Sequence, residues 1–261
     1  MDGTPTLEDF RKDETLFFDF LEYFFKYKPR NYQKKFLLAC LKNKRIAGKW
    51  CRQSGKSYSL AHYDLFRCVI APTTIIITAP TLTHSTELYM KIRALVEGNE
   101  LIKNEIEKLT ATEMIFKNGS RIKALPTGTE GKSIRGFTAD VVNLEEAGLV
   151  KDEIVNSVIT PLIASKKDEG QIIKIGTPLT KNHFYRSCFL DDTYTVINVR
   201  WEDCVKENQY TIDFINEQKK NLTDIEFRTE YDAEFIEEMA SFFPSKLIDS
   251  CMEDFNFIKF I

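Results

Sequence analysis

The chain has 261 residues, a formal net charge of −3 and a pI near 5.8, so any contact with nucleic acid rests on a local patch and not on overall charge. Hydrophobic residues make up 43% and charged residues 29%, the balance of a globular domain, and no apolar run reaches membrane-spanning length. Six cysteines without close pairs and three scattered histidines (His62, His84, His183) speak against a zinc site; with an acidic start and no signal peptide they point to a reducing, cytoplasmic setting.

In chain order, residues 6–27 are predicted as one helix, with Thr6 as N-cap and Phe10, Phe17, Phe20 and Phe24 along it. Pro29 ends it, and residues 31–42 form a second helix. A short strand around Ile46 then leads into Cys51-Arg52-Gln53-Ser54-Gly55-Lys56-Ser57, and residues 58–70 read as a helix. The β-branched run 74–78 is a buried strand and 83–97 a helix. Two short runs, 114–116 and 122–125, flank Asn118-Gly119, the signature of a tight hairpin with positive φ. Strands come next at 141–144, 172–175 and 195–199, with a helix at 154–164 and charged helical sequence over 207–237. Single strands alternating with helices predict a largely parallel sheet covered on both faces.

The seven-residue stretch after the first strand carries the chemistry. Gly55 lets the backbone approach a phosphate, the Lys56 ammonium neutralises β/γ-phosphates and the Ser57 hydroxyl ligates Mg²⁺. Trp50 stands where the full phosphate-loop pattern has its first glycine. A second copy, Gly128-Thr129-Glu130-Gly131-Lys132-Ser133, precedes Ile134-Arg135-Gly136, which makes a poor helix, so Lys132 is expected to be a loop lysine. The strand 141–144 ends in Glu145-Glu146. There the first carboxylate can hold Mg²⁺ and the second can orient an attacking water, at the sheet edge where the phosphate loop also emerges.

Arg52-Gln53-Ser54-Gly55-Lys56-Ser57, in place of a glycine-initiated loop, resembles the large terminase subunits of tailed phages. Pro29-Arg30-Asn31-Tyr32-Gln33, Ile77-Thr78-Ala79-Pro80-Thr81, the stretch from Ile134-Arg135-Gly136 through Ala147, and Ile173-Lys174-Ile175-Gly176-Thr177-Pro178 agree with that family in order. The resemblance runs from about Tyr23 to Pro244, with Ser241-Phe242-Phe243-Pro244 at the end of the family's ATPase domain. It implies a P-loop NTPase of the RecA-like/ASCE type with a small C-terminal helical lid or linker. The expected division is a core over 1–180 and the lid over 181–261, with the family's C-terminal nuclease domain absent.

The implied activity is ATP hydrolysis with Mg²⁺, driving double-stranded DNA into a procapsid. Tyr32 and Gln33 would sit against adenine, and Gln53, Ser54, Gly55, Lys56 and Ser57 would hold phosphate. Ser57 and Glu145 would hold the metal, Glu146 would activate water, and Arg52 in cis and Arg135 in trans would stabilise transferring charge. Thr177 would couple hydrolysis to movement. Implied partners are the portal protein, the small terminase subunit and sister subunits in a ring, in the host cytoplasm. A helicase-like or repair ATPase and a non-hydrolysing nucleotide-binding regulator are the other readings. Basic pairs such as Lys34-Lys35, Lys166-Lys167 and Lys219-Lys220 read as solvated faces.

Overall fold

The computed structural model describes residues 5–236. The predicted 241–244 segment and Cys251 lie outside them. The first predicted helix is two: α1 (Leu7–Lys12) and α2 (Glu14–Phe25) meet at Asp13, whose carboxylate accepts from the N–H groups of Thr15 and Leu16 and so starts a new helix. Thr6 caps α1 through a reciprocal box with Asp9, an arrangement contributing about 1 kcal/mol. Then come α3 (Asn31–Lys42), β1 (Arg45–Trp50), α4 (Lys56–Ile70), β2 (Thr74–Ala79), α5 (Leu82–Glu97) and α6 (Glu100–Lys103).

A hairpin region is made of β3 (Ile106–Leu109), β4 (Glu113–Phe116) and β5 (Arg121–Pro126). Gly119 takes φ 89° in the β4–β5 turn, as the Asn-Gly pair predicts. Glu113 is the buried anion of this edge: Lys108 and Arg121 each donate to it at 2.8 Å, with Lys123 3.6 Å away. Next are β6 (Val141–Leu144), α7 (Asp152–Ile154), β7 (Gln171–Gly176), α8 (His183–Phe189), β8 (Thr195–Val199), α9 (Trp201–Lys206), α10 (Ile212–Asn221) and α11 (Asp224–Glu230). The predicted helix at 154–164 is helical but irregular. A π turn over Val155–Ile159 runs into 3₁₀ geometry from Thr160, because Pro161 has no N–H to continue an α ladder.

The strands form one eight-stranded sheet in the order β3-β4-β5-β2-β6-β7-β1-β8. From β5 to β8 every pairing is parallel; β3 and β4 are antiparallel at one edge. The period of two sorts side chains to opposite faces. Ile46, Trp50, Ile75, Ile77, Ile173 and Ile175 join the core beneath α1–α5, built around Phe10, Phe17, Phe36 and Phe66. Ala47, Ile76, Val142, Leu144 and Ile172 face the second core, with Val155, Val158, Ile159 and Phe184.

The sheet reaches past the boundary expected at residue 180, since β8 pairs with β1 from Ile46↔Thr195 to Trp50↔Val199. Ile215 of α10 and Phe227 of α11 belong to the same cluster as Trp50. Among the described residues, the segment beyond 180 therefore shares the main core, because β1 needs a partner on its outer side and its apolar face needs cover.

Candidate nucleotide-binding site

Three parallel strands end at one edge of the sheet and deliver the site. β1 runs into the loop, β6 into Glu145-Glu146 and β7 into Thr177-Pro178, and β7 lies between the other two. Parallel strands put all three ends on the same side. The result is a cleft of about 590 Å³ lined by Arg52 to Tyr58, Glu145, Glu146 and Thr177.

The loop is held from below and from behind. Trp50, at the position of the pattern's first glycine, is a strand residue buried edge-on against Tyr32 and Phe36 and does not line the cleft. The Cys51 N–H donates to Val199 O at 2.9 Å and the Arg52 N–H to Glu230 O at 2.8 Å. Ser54 Oγ donates to Cys51 O at 2.7 Å. The backbone enters the left-handed region at Gln53 (φ 52°) and at Gly55 (φ 86°). A Cβ on Gly55 would stand 2.5 Å from Gln33 Nε2, so a side chain there would be strained by φ and would push Gln33 aside. Gly55 is the N-cap of α4, leaving the first N–H groups of that helix free to meet an anion.

Across the cleft, Lys56 Nζ lies 3.2 Å from Glu146 Oε1, and Ser57 Oγ donates to Glu145 Oε2 at 3.4 Å. Burial alone would lower the Lys56 pKa, but Glu146 and Glu145 outweigh it and hold the ammonium above its ordinary value. Burial pushes Glu145 up to about 7; Lys56 opposes this and Glu146 adds to it. Glu145 Oε1 is buried with no hydrogen-bond partner among the described residues. A buried carboxylate oxygen left unsatisfied beside a serine hydroxyl is a donor set that fits Mg²⁺. Glu146 sits at φ 48°, ψ 46°, a left-handed turn that bends the chain out of β6. A Cβ on Gly176 would lie 3.0 Å from Ala147 N, so this turn packs against β7 only because a glycine stands there.

Deeper in α4, Asp64 is fully buried and accepts from Asn143 Nδ2 at 2.7 Å. Burial drives its pKa up to about 8, with the Asn143 hydrogen bond pulling the other way.

Several expected residues stand elsewhere. Tyr32 lines neither the cleft nor its neighbour; it is buried, and its hydroxyl donates to Ser54 O at 3.1 Å. It lies one helical turn before Phe36, on the face of α3 that packs against Trp50. Gln33 supports the same loop, accepting from Arg30 N at 2.9 Å and Tyr27 Oη at 3.2 Å and donating to Ser54 O at 3.5 Å. It also lines an adjoining hollow of about 750 Å³ that shares Tyr58 with the cleft. Arg135 is exposed, lines neither cavity and makes no ion pair or hydrogen bond among the described residues. Lys132 is exposed and pairs with Glu130 at 2.5 Å, with no helix after it, as its sequence context predicts. Arg52 lines the cleft, 3.6 Å from Glu230.

Sequence reading missed His84, Glu87 and Lys91 of α5, and Thr229 and Glu230 of α11, all of which line the cleft. The only trace of the α5 group is a polar stripe at helical spacing, opposite the apolar stripe of Leu88, Ile92 and Val96.

A parallel sheet whose phosphate-loop strand and acidic strand are separated by one further strand, with a glutamate at the acidic strand's end, is a P-loop NTPase fold of the ASCE type. The profile of the family described as "Terminase large subunit, T4likevirus-type, N-terminal" matches residues 50–250, and the chain belongs to that family. Solved structures agree. The ATPase domain of the Thermus phage P74-26 large terminase is 22% identical with a TM-score of 0.70, covering 84% of this chain and 98% of that one. The HK97 bacteriophage large terminase is 17% identical with a TM-score of 0.69, covering 84% and 54%. A thermophilic bacteriophage's large terminase in complex with ADP is 13% identical with a TM-score of 0.60, covering 79% and 53%. At these identities the likenesses establish the fold, and the chain spans about half the length of the last two proteins. No curated protein matches it.

Proposed function

We propose that this chain binds ATP with Mg²⁺ in the cleft and hydrolyses it as the ATPase motor of viral genome packaging. The observation that carries the reading is the 3.2 Å contact between Lys56 at the start of α4 and Glu146 just after β6. Gly55 and the first N–H groups of α4 cradle phosphate, and Lys56 moves from Glu146 to the β/γ-phosphates as nucleotide enters. That exchange frees Glu146 to orient the attacking water and accept its proton. Ser57 and Glu145 hold Mg²⁺, which when bound polarises the phosphate oxygens as a Lewis acid. Arg52 is released from Glu230 toward the transferring phosphoryl group. Thr177 reports the state of the cleft to the residues after β7, and Gln33 with Tyr58 receives the base.

Arg135, exposed and without an ion pair among the described residues, serves a neighbouring subunit's ATP. Double-stranded DNA, the portal protein, the small terminase subunit and a ring of like subunits in the host cytoplasm complete the proposal, with no DNA cleavage by this chain. The test is steady-state ATP hydrolysis and nucleotide binding, wild type beside Glu146→Gln. Turnover in the variant is expected to fall about 10²–10⁴-fold, the span of general-base catalysis, while nucleotide still binds. Equal rates would refute the pairing of loop and acidic strand and leave a nucleotide-binding regulator.

A further inference from the structure

α5 contributes to the cleft without belonging to any phosphate-loop motif. His84, Glu87 and Lys91 fall on its cleft-facing side, while Leu88, Ile92 and Val96 are buried on the other. The cleft's other two cations are already engaged, Lys56 with Glu146 at 3.2 Å and Arg52 with Glu230 at 3.6 Å. Lys91 makes no ion pair or hydrogen bond among the described residues, though it lines the same cleft as four carboxylates, Glu87, Glu145, Glu146 and Glu230. Its positive field is felt at Glu145, at the end of the cleft where water attack takes place. An ammonium on a flexible four-carbon stem collapses onto a carboxylate when one is within reach. Here Glu87 is one turn away on the same helix, yet neither it nor Glu145, Glu146 or Glu230 pairs with Lys91 among the described residues, and the ammonium stays in the cleft lining.

Four carboxylates against three cations leave the cleft net negative. A triphosphate carries still more negative charge, so its γ-phosphoryl oxygens call for a cation beyond the phosphate-loop lysine. Lys56 lines the cleft from the start of α4, and Lys91 lines it from α5.

We propose that Lys91 is a second substrate-contacting lysine, closing in cis on the γ-phosphoryl oxygens of bound ATP. The proposal rests on the nucleotide reading above and adds a residue that discriminates ATP from ADP. A charged hydrogen bond of this kind is worth about 10- to 150-fold in affinity.

The experiment uses the 261-residue chain in the Glu146→Gln background, so that ATP is not consumed. ATP and ADP affinities are measured by displacement of a fluorescent nucleotide for Lys91, Lys91→Met, Lys91→Gln and Lys91→Arg, each checked for an unchanged melting temperature. The expected result is an ATP affinity at least about tenfold weaker in Lys91→Met and Lys91→Gln, with ADP affinity unaltered and ATP affinity largely restored by Lys91→Arg. Equal losses for ATP and ADP, or no loss for either, would overturn the γ-phosphate role while leaving the nucleotide site standing. A parent chain that binds neither nucleotide would overturn the site and Lys91 with it.

Discussion

Gly55→Ala is the sharpest test of how the phosphate loop is held. Forcing alanine to φ 86° costs about 1–2 kcal/mol in the left-handed region. The new Cβ would also stand 2.5 Å from Gln33 Nε2, so Gln33 must move, and it anchors Arg30 N, Tyr27 Oη and Ser54 O. Losing two of those three bonds costs about 1–3 kcal/mol at the usual net worth of each. The sum is about 2–5 kcal/mol, a fall in Tm of about 4–20 °C for a chain of this size. Nucleotide affinity should fall in parallel, because the displaced residues set the loop. Gly119→Ala is the control: its φ is 89°, but nothing lies within 4 Å of the added Cβ. It should lose only the backbone cost, about 1–2 kcal/mol, and bind nucleotide normally. Thermal unfolding and nucleotide titration of both variants decide the matter. If Gly55→Ala matches Gly119→Ala in both assays, Gln33 does not buttress the loop.

Three further outcomes rest on contacts already described. Lys108 first, then Arg121 and Lys123, hold the Glu113 carboxyl down to about 2 from an ordinary 4.5, so its contribution is complete above pH 4.5 and lost as pH falls toward 2. Because Lys108 and Arg121 are about half exposed, Glu113→Gln should cost only about 1–2 kcal/mol at pH 7, and urea midpoints of the two proteins should converge near pH 2. Asp64 behaves oppositely: the folded state favours its protonated form, so wild type should lose stability as pH rises from about 4 through 8. Asp64→Asn should escape that loss and be the more stable by a few kcal/mol at pH 9, while a flat difference between pH 5 and pH 9 would contradict the burial argument. Finally, Arg135→Ala should abolish any faster-than-linear rise of ATPase rate with protein concentration; a variant as active as wild type at high concentration would remove the trans role.

The elements built on buried runs were legible because their residues leave few alternatives. Ile75-Ile76-Ile77 and Ile172-Ile173 are short β-branched runs that favour buried strands, and Gly55-Lys56-Ser57 marks the loop in the sequence. Elements governed by one local competitor were not. Asp13 splits the first helix by capping a new one, Pro161 unsettles the helix after β6, and β3 is a mostly exposed edge strand with too little apolar pattern to announce itself. The site divides in the same way. Residues fixed by loop and strand chemistry, Lys56, Ser57, Glu145 and Glu146, meet in space, whereas Lys91 and Glu230 arrive from elements brought near only by packing. The placement of Tyr32 depends on which face of α3 is buried, and the helical pattern around Phe36 held that information.

The phosphate-loop strand has a place in time as well as in space. Arg45 pairs with Ile172 and Ile46 with Thr195, so β1 leaves the ribosome with neither neighbour yet made. Until both arrive, Ile46, Ala47 and Trp50 stay without the strands that will flank them, and closing such distant pairs carries the entropy of a long loop. The Glu230 carbonyl that receives the Arg52 N–H emerges later still. The full set of contacts that hold the loop therefore exists only once residue 230 has been made. A fragment ending before Val199 would own every residue of the Gly-Lys-Ser motif and still lack the Val199 and Glu230 carbonyls that receive the Cys51 and Arg52 N–H groups.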